Sequence, residues 1–193
     1  MKPITIASLC LATVASAGAV ATAVTAEGAP AHRSSAGVQA AHFAHPKPNP
    51  YYPLVPGTVH LAPGDHHLVV RANARGHLTG LNQGPPENFC RPAVDPLFRS
   101  AVAAYDGAVL GLVLTGMGSD GRNGAGEIRN AGGTVLVQDQ ATSVVWGMPG
   151  AISQAGFADE VLPLDRVPEA ILRHLAGVGS APRAGATLAG GPR

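Results

Sequence analysis

Residues 108–139 read AVLGLVLTGMGSDGRNGAGEIRNAGGTVLVQD, and their pattern decides the fold. Ala108 to Leu114 is a short, nearly continuous apolar run rich in Val and Leu. Such a run fits a strand buried on both faces, as in a parallel sheet. It gives way at Thr115 to Gly116-Met117-Gly118-Ser119-Asp120-Gly121. Glycines at this density allow backbone geometries, and close approach of other groups, that side chains forbid. Ala125, Ile128 and Ala131 then recur at helical spacing, which predicts a helix from about Asn123, ended by Gly132-Gly133. Thr134 to Val137 is a second buried strand, closing at Gln138-Asp139. Strand, glycine loop, helix and strand make a βαβ unit. In open parallel sheets, sites form at the carboxyl ends of strands, where this loop falls.

Two chemistries compete for the loop. Gly116-x-Gly118-x-x-Gly121 after a strand, with Asp139 about 20 residues on, is the spacing of a dinucleotide fingerprint. The alternative is a catalytic loop that presents the Asp120 carboxylate beside free backbone N–H groups. A pyrophosphate needs positive potential at the helix start, and a carboxylate between the second and third glycines repels it. Asp120 suits the role of partner to a histidine better. A tight turn without chemistry is a third reading of the same spacing.

Three segments share one resemblance. Leu114-Thr115-Gly116-Met117-Gly118-Ser119-Asp120-Gly121, Asn88-Phe89-Cys90-Arg91-Pro92-Ala93-Val94-Asp95 upstream, and Val144-Val145-Trp146-Gly147-Met148-Pro149 downstream resemble the chemotaxis protein-glutamate methylesterases, in that family's order. The resemblance covers roughly residues 54–176. It implies hydrolysis of glutamate methyl esters on the cytoplasmic domains of methylated chemoreceptors, by a Ser–His–Asp triad on a doubly wound sheet and without a cofactor. By the same resemblance Asp120 is the triad acid, and the Met117 backbone N–H contributes to the oxyanion hole.

The totals narrow the alternatives. A chain of 193 residues has room for one domain of moderate size. A formal charge of +1 with no basic run gives no reason to propose nucleic acid. Cys10 and Cys90 are the only cysteines, so a disulfide framework and a cysteine-based zinc site are excluded. Cys90, between Phe89 and Arg91, reads as a small packing residue rather than a reactive thiol. Gly and Pro, 25 and 17 residues, gather towards the two ends.

Taken in order, residues 1–26 hold Lys2 and an alanine-rich apolar run ending in Val24-Thr25-Ala26. This resembles a secretory signal; Ala, Ser and Thr make it weakly hydrophobic for a membrane anchor. The remaining reading is a first strand, Ile4-Thr5-Ile6-Ala7, feeding a helix. The family opens with a strand and the turn G-A-S-[ST]-G-G that carries the nucleophile. Ser8 follows the apolar run here, but those glycines are absent. Residues 27–53, rich in Ala, Pro, His and Gly, read as an irregular linker. Ser34-Ser35-Ala36-Gly37 echoes the nucleophile turn with no strand before it. The family's Q-H-M-P motif supplies the triad histidine, and the nearest approaches are His42 and His45. Neither follows a buried strand, so nucleophile and base stay unassigned. The amino-terminal third of the domain is expected to be missing or altered.

From Leu54 the pattern is orderly. Thr58 to Ala62, His66 to Arg71 and His77 to Leu81 predict an antiparallel meander with turns at Pro63-Gly64-Asp65 and Asn73 to Gly76. His60, His66, His67 and Asp65 invite a metal reading. Neighbours on a strand point to opposite faces, however, so His66 and His67 do not readily share an ion, and no metal is expected. Asp95 is predicted to cap a helix whose first position is Pro96, with Leu97, Ala101, Ala104 and Tyr105 on one face and Gly107 at its end. Arg91 either binds a substrate carboxylate or pairs with Asp95 or Glu87. Thr142 to Trp146 is a short extended segment, followed by a helix from Gly147 to about Ala155. Trp146 and Met148 either wall a cleft or pack the core. Glu160 to Pro163 is a last strand, and Asp165 is predicted to cap a final helix with Val167, Ile171 and Leu175 facing the sheet. Residues 177–193 read as a flexible tail.

The expected architecture is α/β: a doubly wound, mostly parallel sheet with helices on both faces and an antiparallel hairpin, incomplete at its amino-terminal side. The expected location is the cytoplasm, where the receptors' methylated segments lie. Export is the alternative if residues 1–26 act as a signal, and no dedicated membrane anchor is expected.

Overall fold

The computed structural model describes residues 8–15, 18–24, 51–54 and 59–175. Its strands and helices, in chain order, are β1 (Ser8–Ala15), β2 (Gly18–Val24), β3 (Tyr51–Pro53), β4 (Val59–Leu61), β5 (His67–Asn73), β6 (Gly76–Asn82), α1 (Val94–Tyr105), β7 (Val109–Val113), α2 (Arg122–Asn130), β8 (Thr134–Gln138), α3 (Gly147–Gln154), β9 (Glu160–Leu162) and α4 (Val167–Leu175). Six strands form the main sheet in the order β4-β2-β1-β7-β8-β9. Strands β1, β7, β8 and β9 run parallel, and β2 runs against both β1 and β4.

The βαβ unit predicted over residues 108–139 is present as β7, α2 and β8. All of β7 is buried, because its two side-chain rows face different helices. Val109 and Val113 join Val135 and Val137 of β8 in a core with Phe98, Ile128, Met148 and Ile152, from α1, α2 and α3. Leu110, Leu112 and Leu136 point the other way, onto Val167 and Ala170 of α4. Helices on both faces of a mostly parallel sheet are the doubly wound arrangement. A second, antiparallel sheet in the order β3-β6-β5 lies outside α1. Leu68 and Val70 of β5 extend the core, and the Val70 N–H donates to Ser100 Oγ at 2.9 Å.

Several sequence expectations change. The meander is divided: β5 and β6 form the hairpin, while β4 leaves it to pair with β2 in the main sheet. Alternation alone does not say which sheet a strand joins. Tyr51–Pro53, expected in the irregular linker, pairs with β6. Ser8 begins a strand beside β7, paired with Val109, and a second strand follows where a helix was one expectation. Ile4 to Ala7, Ser34, Ser35, His42, His45 and the tail lie outside the described residues. Helix α1 starts at Val94 with Ala93 at its N-cap, so Asp95 lies inside the first turn and is not the cap. A single 3-10 turn, Leu164–Arg166, precedes α4, so Asp165 sits within that turn rather than capping the helix.

Two positions carry clear energetic consequences. Phe98 is fully buried where α1 crosses α2, and a Cβ on Gly124 would lie 2.6 Å from the Phe98 Cβ. Burying a phenylalanine contributes roughly 1.5–3 kcal/mol, and it is the missing side chain at Gly124 that lets the helices close over it. His60 on β4 is in register, through Ala23 and Cys10, with Gly111, whose own Cβ would face Ile128 and Phe98. The imidazole is therefore on the α1 side of the sheet. It is buried, and among the described residues its Nε2 has no hydrogen-bond partner.

Gly124→Ala is expected to destabilise the chain by about 1–3 kcal/mol, the usual cost of overpacking, measured by urea denaturation. Burial lowers the His60 pKa from its ordinary 6.5. As pH falls below about 6.5 the unfolded chain takes up this proton before the folded one, so stability contributed above that pH is lost. His60→Leu is therefore expected to lose less stability than the parent chain between about pH 7 and pH 5. Parallel pH curves for the two proteins would refute the assignment.

Candidate active site

Three loops meet beyond the carboxyl end of β7. The first, residues 114–121, is built on backbone proximity. Gly116 N–H donates to the Val145 carbonyl at 2.9 Å, and Met148 N–H donates to the Gly116 carbonyl at 2.9 Å. A Cβ on Gly147 would lie 2.7 Å from the Gly118 nitrogen and 2.8 Å from the Gly116 oxygen, so only glycine fits there. Thr115 strengthens the seam: its Oγ1 donates to the Val145 carbonyl and accepts the Val145 N–H. The Trp146 indole donates to the Gln138 carbonyl at 3.1 Å, and its ring lies against Gly150. Met148 is buried in the core, so of the two readings for this pair, packing holds for Met148.

Asp120 turns inward from this loop. Its side chain is buried and collects four donors. Oδ2 accepts the Val94 N–H at 2.7 Å. Oδ1 accepts the Asp95 N–H at 3.2 Å, the Gly121 N–H at 2.9 Å and the Asn88 side-chain amide at 3.0 Å. The first N–H groups of α1 have no partner within their own helix, and the positive end of its dipole favours an anion there. Asp120 thus caps α1 from a distance of 26 residues along the chain.

Asp95 returns the arrangement. Its Oδ1 accepts the Gly124 N–H in the first turn of α2 at 2.7 Å, and its Oδ2 accepts the Asn88 amide at 3.0 Å. Each helix start is therefore capped by a carboxylate from the other segment, and one asparagine amide bridges the two carboxylates. Burial pushes the Asp120 carboxyl above its ordinary range; the Val94, Asp95 and Gly121 N–H groups oppose that push, and the Asp95 charge adds to it.

The upstream loop is held by its own contacts. Asn88 and Phe89 both adopt positive φ, 50° and 64°. The Glu87 and Cys90 backbones exchange two hydrogen bonds. Arg91 pairs with neither Asp95 nor Glu87: it ion-pairs with Asp65 and donates to the Gly84 carbonyl at 2.9 Å. Glu87 is taken by Arg99 at 2.6 Å. Cys90 is a half-buried free thiol whose pKa is raised by burial and by the Asp120 charge.

The histidines singled out for a metal have separate surroundings. His66 contacts the Gly64 carbonyl and is half-buried. His67 is buried; with its proton on Nε2 it donates to the Pro85 carbonyl at 3.1 Å and accepts the Ala93 N–H on Nδ1 at 3.1 Å. His67 thus supports the entry to α1 that Asp120 caps. Asp139, the ribose-binding candidate, instead closes a turn by accepting the Thr142 N–H and hydroxyl.

Met117 stands exposed at the rim, and among the described residues no group accepts its N–H. Among the same residues no histidine bonds to Asp120, so the structure brings together Asp120, Asn88 and Asp95, with Met117 on the same loop as Asp120. Sequence reasoning missed Asn88 as the bridge; its only signal was a polar residue inside a recognised motif. It also missed Gln138, buried, whose Oε1 accepts the Thr115 N–H at 2.8 Å and anchors the glycine loop to β8.

Comparison with known proteins covers this same region. A protein-glutamate methylesterase/protein-glutamine glutaminase of Nocardioides sp. is 65% identical over 124 residues, spanning 64% of this chain and 34% of that protein. A protein of the same description from Maricaulis maris is 57% identical over 124 residues, spanning 64% and 31%. The chain thus spans about a third of the length of these curated relatives. The crystal structure of the Thermotoga maritima CheB methylesterase catalytic domain superposes with a TM-score of 0.61 at 39% identity, covering 63% of this chain and 64% of that one. The family model for the CheB methylesterase matches residues 48–171, well over half of the sequence. The match takes in all three motif loops that meet beyond β7, and the chain belongs to the CheB methylesterase family.

Proposed function

We propose that this chain serves the hydrolysis of glutamate methyl esters on the cytoplasmic domains of chemoreceptors, with Asp120 as the acid that orients a histidine base. One observation carries the reading. Asp120 is a buried carboxylate whose charged form is disfavoured by its surroundings, yet it sits at the rim of the sheet where sites form. Capping α1 works against this shift, because the Val94 and Asp95 N–H groups favour the charged form.

In such a reaction a hydroxyl attacks the ester carbonyl while a base takes its proton. The oxyanion is held by backbone donors, methanol departs, and water releases the acyl group. The Met117 N–H, unclaimed within the described residues, suits the oxyanion donor. Nucleophile and base remain unassigned among the described residues. The names of the relatives pair esterase with glutaminase activity, and both reactions pass through a tetrahedral oxyanion of the same kind. No cofactor enters the proposal.

A second reading is a chain that binds methylated receptor without turning it over. It is favoured by the lack of a described histidine among the partners of Asp120. No helix among the described residues is long and apolar enough to cross a membrane. The cytoplasm is the proposed location, and cell fractionation that finds a processed, exported form beginning near residue 27 would refute it.

Methanol release from methylated receptor separates the two readings. Catalysis predicts release that falls by about 10³–10⁴-fold in Asp120→Asn, the usual loss when a triad acid can no longer hold the imidazole. Binding without release, unchanged in that variant, would establish the second reading instead.

A further inference from the structure

The two oxygens of Asp120 are not equivalent. Oδ1 already accepts three donors, from Asn88, Asp95 and Gly121, at 3.0, 3.2 and 2.9 Å. A carboxylate oxygen offers about two lone-pair sites, so Oδ1 is full. Oδ2 accepts the Val94 N–H alone, at 2.7 Å, and keeps one site. The backbone donors Asp95 and Gly121 set the asymmetry, and Asn88, the one side chain among these donors, reinforces it. Asn88 in turn is oriented by Asp95, whose Oδ2 takes a proton of the same amide at 3.0 Å. Asp95 cannot turn away, because its Oδ1 is held by the Gly124 N–H at 2.7 Å.

We propose that Asn88 and Asp95 are positioning residues that fix Asp120 so that Oδ2 alone can receive the N–H of a base. Neither touches the reacting atoms. Asn88 adds a side-chain donor to Oδ1 that ties the carboxylate to Asp95 and opposes its rotation, and Asp95 holds the amide in place. Asp95 also sets a negative charge behind Asp120, which makes Oδ2 a stronger acceptor. The charge that bears on Asp120 is that of Asp95, from α1; Cys90, from the loop that carries Asn88, faces Asp120 as a neutral thiol whose pKa the Asp120 charge helps to raise. The inference rests on the esterase reading for the identity of the incoming group, but the asymmetry itself does not.

The two residues act on Asp120 in opposite directions, which a merely structural role would not do. Asn88 donates to the charged form, so removing its amide raises the Asp120 pKa. The Asp95 charge disfavours that form, so neutralising it lowers the pKa. The test is a carboxyl ¹³C titration of the full chain by NMR, following Asp120 in the parent chain, Asn88→Gly and Asp95→Asn. Glycine accepts the left-handed backbone at position 88 without strain. The expected result is an upward shift in Asn88→Gly and a downward shift in Asp95→Asn, with the Val94 amide resonance still showing its bond to Asp120. Unchanged titration in either folded variant, or movement in the same direction in both, overturns the proposal. If Asp95→Asn fails to fold, the sign in Asn88→Gly decides alone, since Asn88 is an exposed loop residue. Opposite shifts with no methanol release would sink the esterase reading and leave the positioning intact. Release sensitive to Asp120→Asn, with flat titrations, would sink the positioning alone.

Discussion

The contact between the Asp120 carboxylate and the first N–H groups of α1 is the constraint on which the site depends. It joins a loop at the end of β7 to a helix that begins 26 residues earlier, and it does so with the strongest kind of cap, an anion on a helix dipole. The return contact, Asp95 onto the first turn of α2, makes the joint two-sided. Neither helix start can shift without stranding a buried carboxylate, which costs far more than an ordinary hydrogen bond. The glycine loop between β7 and α2 is therefore fixed at both ends, by the sheet behind it and by α1 beside it.

The glycine spacing follows from that joint. For the two carboxylates to exchange caps, α1 and α2 must approach until backbone meets side chain. A Cβ on Gly121 would touch Val94 at 3.0 Å, and one on Gly124 would collide with Phe98 at 2.6 Å. Gly121 also needs its left-handed φ of 84° to turn the chain into α2. On the other side, Gly147 lets the downstream motif lie directly on the loop backbone. In what resembled a phosphate-binding fingerprint, Gly121 thus makes room for Val94 rather than for a dinucleotide, and Gly118 answers to its left-handed φ of 86°. A carboxylate rather than a phosphate occupies the helix start.

The parts of this arrangement legible in the sequence are those set by local period and turn chemistry. The buried strand, the glycine loop, the helix and the next strand were readable because each carries its own pattern within residues 108–139. Asp120 stood out in the sequence because a charge in a glycine turn at a strand end is out of place electrostatically. What could not be read was pairing across long separations. Asp95 has the residue type and position of a local N-cap, yet its carboxylate reaches 29 residues forward while another carboxylate caps its own helix. Arg91 had two acidic neighbours in sequence and chose Asp65, 26 residues back. The small strand at Val59–Leu61 has the alternation of a meander but joins a different sheet, since period 2 fixes the faces of a strand and not its neighbours.

Several departures from the stability rules fall in the same three loops. A carboxylate is buried with its charged form disfavoured. Two consecutive non-glycine residues, Asn88 and Phe89, take left-handed backbone, at a cost of order 1–3 kcal/mol for the less suited of them. Phe89, Met117 and Val144 stand almost wholly exposed, although apolar side chains elsewhere in the domain fill two well-packed cores. A fold under selection for stability alone would shed such features one at a time, because each is independently correctable by a single substitution. Their presence around Asp120 supports the proposed site on physical grounds that do not depend on the glycine motif. The same grounds separate the two buried carboxylates. Asp95 lies within α1 and bonds the Asn88 amide, whereas Asp120 is on the loop that also carries the exposed Met117, which favours Asp120 as the site carboxylate.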